Sequence, residues 1–592
     1  MSRLTNEDSV DVLVIGAGPA GGAAALALSS YGISTRLITK YGWLSNSPRA
    51  HITNQRTGEV LRHFGVEDEI KKYASPWKSM GDTLFTTSLA GPEIARIRTW
   101  GTGDDRYGDY LAASPCEMMD VLQPDLEAVL VRNAASRGSQ LAFDTLYLGH
   151  SQDTEGVTTH VLDRRTNRDY TIRSKYLIGA DGAASKVAED IELPFEGEMA
   201  RAATIYVRFK CDLSKYAAHR PSILYWIASQ TAGYGDIGLG LLRAVHQWDE
   251  WIAGWGHDLA EGEPVLHEAE LTDRIRSLIG DPQAKVRVES SSVWYVNEAY
   301  ATRASDRRVF CAGDAIHRHP PSGGLGSNTC VQDAFNLAWK LAFVLRGYAN
   351  PKLLETYSAE RAPVAQQVVR RANQSRREYS AFREVIQKAS AGGDIELALK
   401  ELHSSTADGA ILRAALVEAM QLKNFEFNAH GIEMNQRYDS AAVVPPDNLP
   451  DETFVRDSEI YAQPSTRPGC KTPHVWLVNE DGLRTSILDL LPMGKLTLVT
   501  GLSGGVWVEA LQGMRVTAYT THIVVGTPGA EDRYGDWSRL REIREDGMLL
   551  IRPDGYVAAR IDSAPATAEE AKSALDTIFS RLLLVGDRRR LV

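Results

Sequence analysis

The sequence is poor in cysteine, with five among 592 residues, at positions 116, 211, 311, 330 and 470. They are scattered, odd in number and nowhere spaced as C-x-x-C. Structural disulfides, a zinc cluster and dithiol chemistry are therefore not expected. No apolar run reaches the ~18 residues of a membrane helix, and the opening MSRLTNEDS has no apolar signal core. A soluble, cytoplasmic protein with no membrane partner is expected. Positive charge is also scarce: 65 Lys and Arg against 76 Asp and Glu leave a net charge of −11. With no basic stripe, a nucleic-acid partner is not expected, and the short GDRRRLV end reads as a solvated tail. Repeats and low-complexity tracts are absent. The chain is too long for one core, and ~150 residues per domain suggests three or four.

One stretch carries clear chemistry: VDVLVIGAGPAGGAAALALSSYGISTRLITK, from Val10 to Lys40. It reads as strand, turn, helix, strand, with Gly16, Gly18 and Gly21 forming G-x-G-x-x-G. The first glycine allows the tight turn, the second lets the backbone approach a pyrophosphate, and the third lets helix and strand pack closely. The helix N-terminus then offers unpaired N–H groups and a positive dipole end to phosphates. The second strand of such a unit usually ends in an acid that binds ribose hydroxyls, but this one ends in Thr39-Lys40. The motif alone leaves NAD and FAD both open.

Residues 1–190 alternate strand and helix patterns, which return at 301–380. Together they predict a discontinuous Rossmann-like α/β domain. Between them, 191–300 is strand-rich (TIYVRFKCDL, SILYWIA, DIGLGLLRAV, KVRVESSSVWYV) and predicts an inserted β-sheet domain. Residues 381–455 read as a helical and linker segment. Residues 456–592 read as a small C-terminal α/β unit.

Two further motifs choose the cofactor. YLIGADGAASKVAED carries Asp181, and VFCAGDAIHRHPPSGGLGSNTCVQDAF carries Asp314. Each places an Asp just past an apolar strand, at the sheet edge where α/β cofactors bind. Asp314 is suited to accept from a ribityl or ribose hydroxyl. The run Gly323–Asn328 leads into a helix whose N–H groups could hold the pyrimidine edge of a flavin.

With these three motifs in this order, the chain resembles the flavoprotein aromatic hydroxylases, the class A FAD monooxygenases. The likeness covers about 1–380 most strongly. SPRAHITNQRT, SLAGPE and HRPSILYW resemble most closely the branch acting on chlorinated and aryl-substituted phenols. The C-terminal unit, with RPDGYVAAR, is similar to the family's thioredoxin-like domain, but GLSGGVW stands where C-x-x-C would be. The resemblance implies non-covalent FAD, NADPH or NADH as co-substrate, O2, a small phenolic substrate, and a homodimer or homotetramer. It implies ortho-hydroxylation to a catechol through a flavin C4a-hydroperoxide. Gly16, Gly18 and Gly21 would hold the pyrophosphate. Arg49, Gln123, Asp181 and Asp314 would contact the cofactor, and Gly326, Ser327 and Asn328 would lie beside the flavin ring. The family's Arg after the Asp181 motif is Ala188 here, so its contact is missing.

Electrophilic oxygen transfer to a phenol speeds up when the phenol is ionised, so a base near its hydroxyl is wanted. His51 stands where a related phenol hydroxylase carries an Asp, and an imidazole titrates near working pH. It is the candidate base, with Asp120 as its orienting partner. The resemblance places Trp226 and Arg243 at the substrate, the first as an apolar wall, the second as a phenolate or nicotinamide contact. Core packing and a surface ion pair remain their plain alternatives. Pro321 would turn its carbonyl to the substrate. His317 and His319 suit a structural turn better than a metal pair, and no metal is expected. Two other functions stay open: a flavin oxidoreductase acting on an aromatic without oxygen insertion, and a scaffold that merely binds FAD.

Overall fold

The computed structural model describes residues 9–47, 50–228, 237–264, 266–390 and 394–585. Its first sheet has a parallel core in the order Val309–Cys311, Arg168–Gly179, Ser9–Ile15, Thr35–Ile38, Gln140–Ala142. The strands Val157–Asp163 and Thr145–Gln152 fold back antiparallel on the long Arg168–Gly179 strand. Val12, Leu13 and Val14 are fully buried, as a central parallel strand requires.

The helix Pro19–Ser30 packs between the helices Gln123–Ser136 and Leu325–Leu345. Its alanines and glycines allow that approach. A Cβ on Gly21 would lie 1.9 Å from the Gly16 carbonyl oxygen, and Gly16 itself has φ +104°. Leu325–Leu345 is buried around most of its girth because it runs through the core, and it carries Asp333, Asn336 and Lys340 inward with its apolar residues. Among the described residues no helix is long and apolar enough to cross a membrane.

The second sheet has eight strands, in the order His317–Arg318, Arg287–Ala301, Phe195–Lys210, Glu250–His257, Gly240–His246, Leu224–Ile227, Asp82–Thr86, Glu93–Arg98. It is wider than the stretch 191–300, because the hairpin 82–98 comes from within the first segment. The hairpin joins through a parallel pairing of Tyr225 with Leu84. The strand Glu250–His257 escapes a sequence reading because two glycines and two tryptophans break its pattern.

The segment 381–455 is more than a linker. The helices Tyr379–Ser390, Ile395–Leu402 and Ala407–Gln421 bury Tyr379, Phe382 and Leu402 against Phe85, Trp226 and Leu241 of the second sheet. The C-terminal unit has a four-stranded sheet, in the order Thr520–Val525, Leu496–Gly501, Met548–Ile551, Val557–Ile561. The first pair is parallel and the others antiparallel. The GLSGGVW stretch turns directly into the helix Gly505–Gln512, and all five cysteines are buried and unpaired.

The C-terminal unit docks on the first domain through a shared apolar core, in which Tyr519 packs on Phe343 and Tyr348, and through a buried charge cluster. Arg552 donates two bonds to Glu360 (2.6 and 2.8 Å), and Lys340 reaches the same carboxylate at 2.8 Å. All three side chains are fully buried.

Candidate active site

A cavity of about 1340 Å³ runs from the glycine turn to the cavity-facing side of the second sheet. Single-ligand sites span ~300–1,000 Å³, so this space suits a large cofactor and a second molecule together.

The phosphate end is built by the turn after Ile15. Gly18 caps the helix Pro19–Ser30 without a side-chain bond, and a Cβ there would meet nothing closer than 3.9 Å. The open backbone and free helix N-terminus make a cradle for a pyrophosphate. Thr39 lines the same region, but it is buried and its hydroxyl accepts from the Tyr41 N–H at 3.4 Å. The acid at this end comes instead from another element. Glu127, one helical turn past Gln123, lines the cavity and accepts from the Ser45 N–H (2.8 Å) and from Gln123 Nε2 (2.7 Å). No signal in the sequence singled it out.

Asp314 projects into the cavity and is exposed there, with Cys330 Sγ at 3.7 Å. Asp181 also lines the cavity, but its carboxylate accepts from Ser185 Oγ (2.5 Å), the Lys186 N–H (2.9 Å) and the Val187 N–H (3.2 Å). It therefore mainly stabilises its own turn. Gly326 and Ser327 line the wall as the first turn of Leu325–Leu345, whose N-terminus has no side-chain cap. Asn328 does not line the cavity. Its buried amide donates to the Ile52 and Gly324 carbonyls at 2.8 and 2.6 Å and accepts from the Asn54 N–H at 2.9 Å. It ties the helix start to the strand beside His51. Arg49 lies outside the described residues. An uncapped helix N-terminus, an open glycine turn and an exposed carboxylate together suit a flavin dinucleotide.

The other end holds the candidate acid–base group. Ile52–Thr53 pairs antiparallel with Met119–Asp120, with Ile52 opposite Asp120, and the Val121 N–H donates to the His51 carbonyl at 2.7 Å. This ladder brings His51 and Asp120 together across 69 residues, with Nδ1 3.0 Å from Asp120 Oδ1. Arg243, from the strand Gly240–His246, donates to the same oxygen at 3.2 Å. Asp120 and Arg243 are almost fully buried, while His51 keeps 13% exposure toward the cavity. Burial, then the nearby Arg243 cation, push the His51 pKa below its ordinary value. Burial alone would raise Asp120, but His51 and Arg243 outweigh it and keep the carboxylate ionised. Asp120 therefore accepts a hydrogen bond from the Nδ1–H of a neutral imidazole, and Nε2 is left as a base.

Trp226 lines the cavity and packs on Tyr379 at 4.7 Å between ring centroids, and Pro321 also lines it. His317 is not on the wall. It is fully buried and bonded to Asp333 at 3.0 Å, whereas His319 is on the wall with Nδ1 2.7 Å from the Pro320 carbonyl. Tyr379 lies behind the wall, while Arg376 and Phe427 line it from the helical region. Nothing in their sequence context marks a site.

A dinucleotide cradle opening onto a largely apolar chamber with a paired histidine fits a cofactor-dependent enzyme acting on an apolar molecule. Known proteins narrow that class. Residues 9–372 match the FAD binding domain family, and 465–581 match the aromatic-ring hydroxylase C-terminal family. The 2,4-dichlorophenol 6-monooxygenase of Cupriavidus pinatubonensis is 47% identical over 578 residues, covering 96% of each chain. The phenol 2-monooxygenase of a Pseudomonas species is 43% identical over 588 residues, covering 96% of this chain and 92% of its own. Among solved structures, the flavin-dependent monooxygenase PieE with FAD and substrate superposes with a TM-score of 0.92 at 38% identity, covering 98% and 99% of the two chains. Aklavinone-11 hydroxylase with FAD and aklavinone gives 0.79 at 27%, covering 98% and 100%. The chain belongs to the FAD-dependent aromatic-ring hydroxylases. It is an enzyme, a flavoprotein monooxygenase, and not a scaffold that merely binds FAD.

Asp314→Ala is expected to weaken FAD binding ~10–100-fold, the worth of hydrogen bonds to a charged acceptor. Fluorescence titration of apoenzyme with FAD reads it. Unchanged affinity would remove Asp314 from the cofactor site.

Proposed function

We propose that the enzyme hydroxylates a phenol bearing chloro, alkyl or aryl substituents at the ortho position, giving a catechol and consuming NAD(P)H and O2. The observation that carries this reading is the buried His51–Asp120–Arg243 cluster at the end of an apolar, Trp226-walled chamber. The named activities of the relatives at 47% and 43% identity support the substrate class.

FAD, when bound, supplies a ring that NAD(P)H reduces and that delivers one atom of O2 to the substrate. The glycine turn and the N-terminus of Pro19–Ser30 would hold its pyrophosphate. Asp314 would hold a sugar hydroxyl, and the Gly326 and Ser327 N–H groups its ring edge. His51 Nε2 takes the phenol proton. Asp120 keeps the imidazole in the tautomer that can do so and stabilises the imidazolium that forms. Arg243 offers positive charge to the phenolate, and Trp226 excludes water. The C-terminal unit, read as thioredoxin-like from the resemblance, serves as structure rather than as a dithiol. The resemblance further supports a cytoplasmic homodimer or homotetramer, which light scattering checks.

A panel of phenols scored for NAD(P)H oxidation and catechol yield tests the reading. No phenol-dependent oxidation across the panel would overturn it. The lowered His51 pKa gives the sign of the pH dependence. The base works deprotonated, so activity falls as pH drops through that pKa, below the usual ~6.5. Wild-type kcat/KM at pH 6.5 is expected to stay close to its value at pH 7.5. A limb centred above 6.5 would contradict this.

A further inference from the structure

The floor of the substrate chamber is one face of the second sheet, and its register fixes which side chains stand beside Arg243. Alternate residues of each strand face the cavity: Leu224 and Trp226, Leu241 and Arg243, Ile252 and Gly254. Arg243 pairs with Leu224 on one side and Ile252 on the other. Two residues along, roughly 7 Å away, runs a second row across four strands. Trp226 pairs with Leu241, Leu241 with Gly254, and Gly254 with Tyr206. A phenol whose hydroxyl reaches Arg243 and His51 places its ring and substituents over this row.

Gly254 is the one position of the row without a side chain, and its space is taken. A Cβ there would lie 2.4 Å from Tyr206 Cε1 and 2.7 Å from Cδ1. The Tyr206 ring thus lies down across its neighbour strand, and Trp294 packs beside it at 5.7 Å between centroids. Glycine inside a strand is unfavourable by itself, and a close approach of this kind is a physical reason for it.

We infer that Tyr206, laid over Gly254, sets the size of the ring substituent and selects phenols with a compact apolar group, a chlorine or a methyl, over those with a second ring. The inference rests on the phenol-hydroxylase reading above. Tyr206 acts as a specificity residue, and it is remote in sequence from the cofactor motifs.

The test compares 2-chlorophenol with 2-phenylphenol on FAD-loaded wild type, Tyr206→Ala, Gly254→Ala and the double variant Tyr206→Leu/Gly254→Ala. Dissociation constants come from the flavin absorbance change on phenol binding, and kcat/KM from catechol formation. Tyr206→Ala is expected to shift preference toward 2-phenylphenol by at least ~10-fold, the scale of a filled or emptied hydrophobic subsite. Gly254→Ala is expected to weaken both phenols, because the ring is forced up into the chamber. Tyr206→Leu is expected to rescue it, including any loss of FAD content, because the ring and the added methyl compete for one space. An unchanged preference in Tyr206→Ala, or no rescue in the double variant, would overturn the inference. If wild type binds both phenols but hydroxylates neither, the phenol-hydroxylase reading fails instead, and the binding ratio still decides the role of Tyr206.

Discussion

Replacing His51 with alanine is expected to slow hydroxylation by ~10²–10⁴-fold, the usual cost of a lost general base, while FAD content stays near wild type. The two effects separate because the groups are separate. His51 pairs with Asp120 at the substrate end, whereas the cofactor cradle is built by the glycine turn, Asp314 and the start of Leu325–Leu345. The substitution leaves Asp120 with Arg243 as its partner at 3.2 Å, so no carboxylate is stranded and the fold should hold. Raising the pH toward the ~10 of a phenolic hydroxyl should partly restore the variant, because solvent then ionises the substrate. Catechol formation followed against pH, with flavin content measured alongside, reads both halves. A wild-type rate and profile in His51→Ala would move the proton-accepting role elsewhere in the chamber.

The largest effect on stability is expected at Glu360. This fully buried carboxylate accepts from both terminal guanidinium nitrogens of Arg552, from Lys340, from Asn336 at 2.6 Å and from Ser440 at 2.7 Å. Burial works against its charge, but Arg552 and Lys340 outweigh it and hold its pKa far below the ordinary carboxylate range. Lys340 is itself pushed down to about 8, by burial first. Glu360→Ala leaves Lys340 without its anion and Arg552 with Asp554 alone. Removing one partner of a buried ion pair costs ~3–5 kcal/mol, a large part of a typical domain's stability. The cluster joins the helices of the first domain to the C-terminal unit, so urea unfolding should shift to a lower midpoint and divide into two transitions. A single transition at the wild-type midpoint would mean that the apolar contacts between the units carry the docking.

The cofactor end was legible in the sequence because glycine leaves a local trace. Gly16, Gly18 and Gly21 lie within six residues, and their spacing alone describes the turn. Asp314 was legible for the same reason, since it follows a short apolar strand directly. The substrate end was less so. His51 and Asp120 could be named from the resemblance, but only the pairing of Ile52–Thr53 with Met119–Asp120 shows them in contact. Arg243 joins them across a further 123 residues. Tyr206 and Gly254 carry no local signal, because their meaning lies in a register between strands that begin about 55 residues apart. The hairpin 82–98 lies inside the stretch 1–190 read as part of the first domain, although it pairs with the second sheet. Nothing local in it shows which sheet receives it. The helical and linker segment 381–455 gave no sign of a site, because its apolar face shows no chemistry until the chamber behind it is seen.

The most direct test of the account is isotopic. Enzyme, NAD(P)H and a chlorophenol turned over under ¹⁸O2 should give a catechol with one labelled oxygen, placed ortho to the original hydroxyl. One NAD(P)H should be consumed per catechol. Unlabelled product, or NAD(P)H oxidised with only hydrogen peroxide formed across the phenol panel, would contradict it.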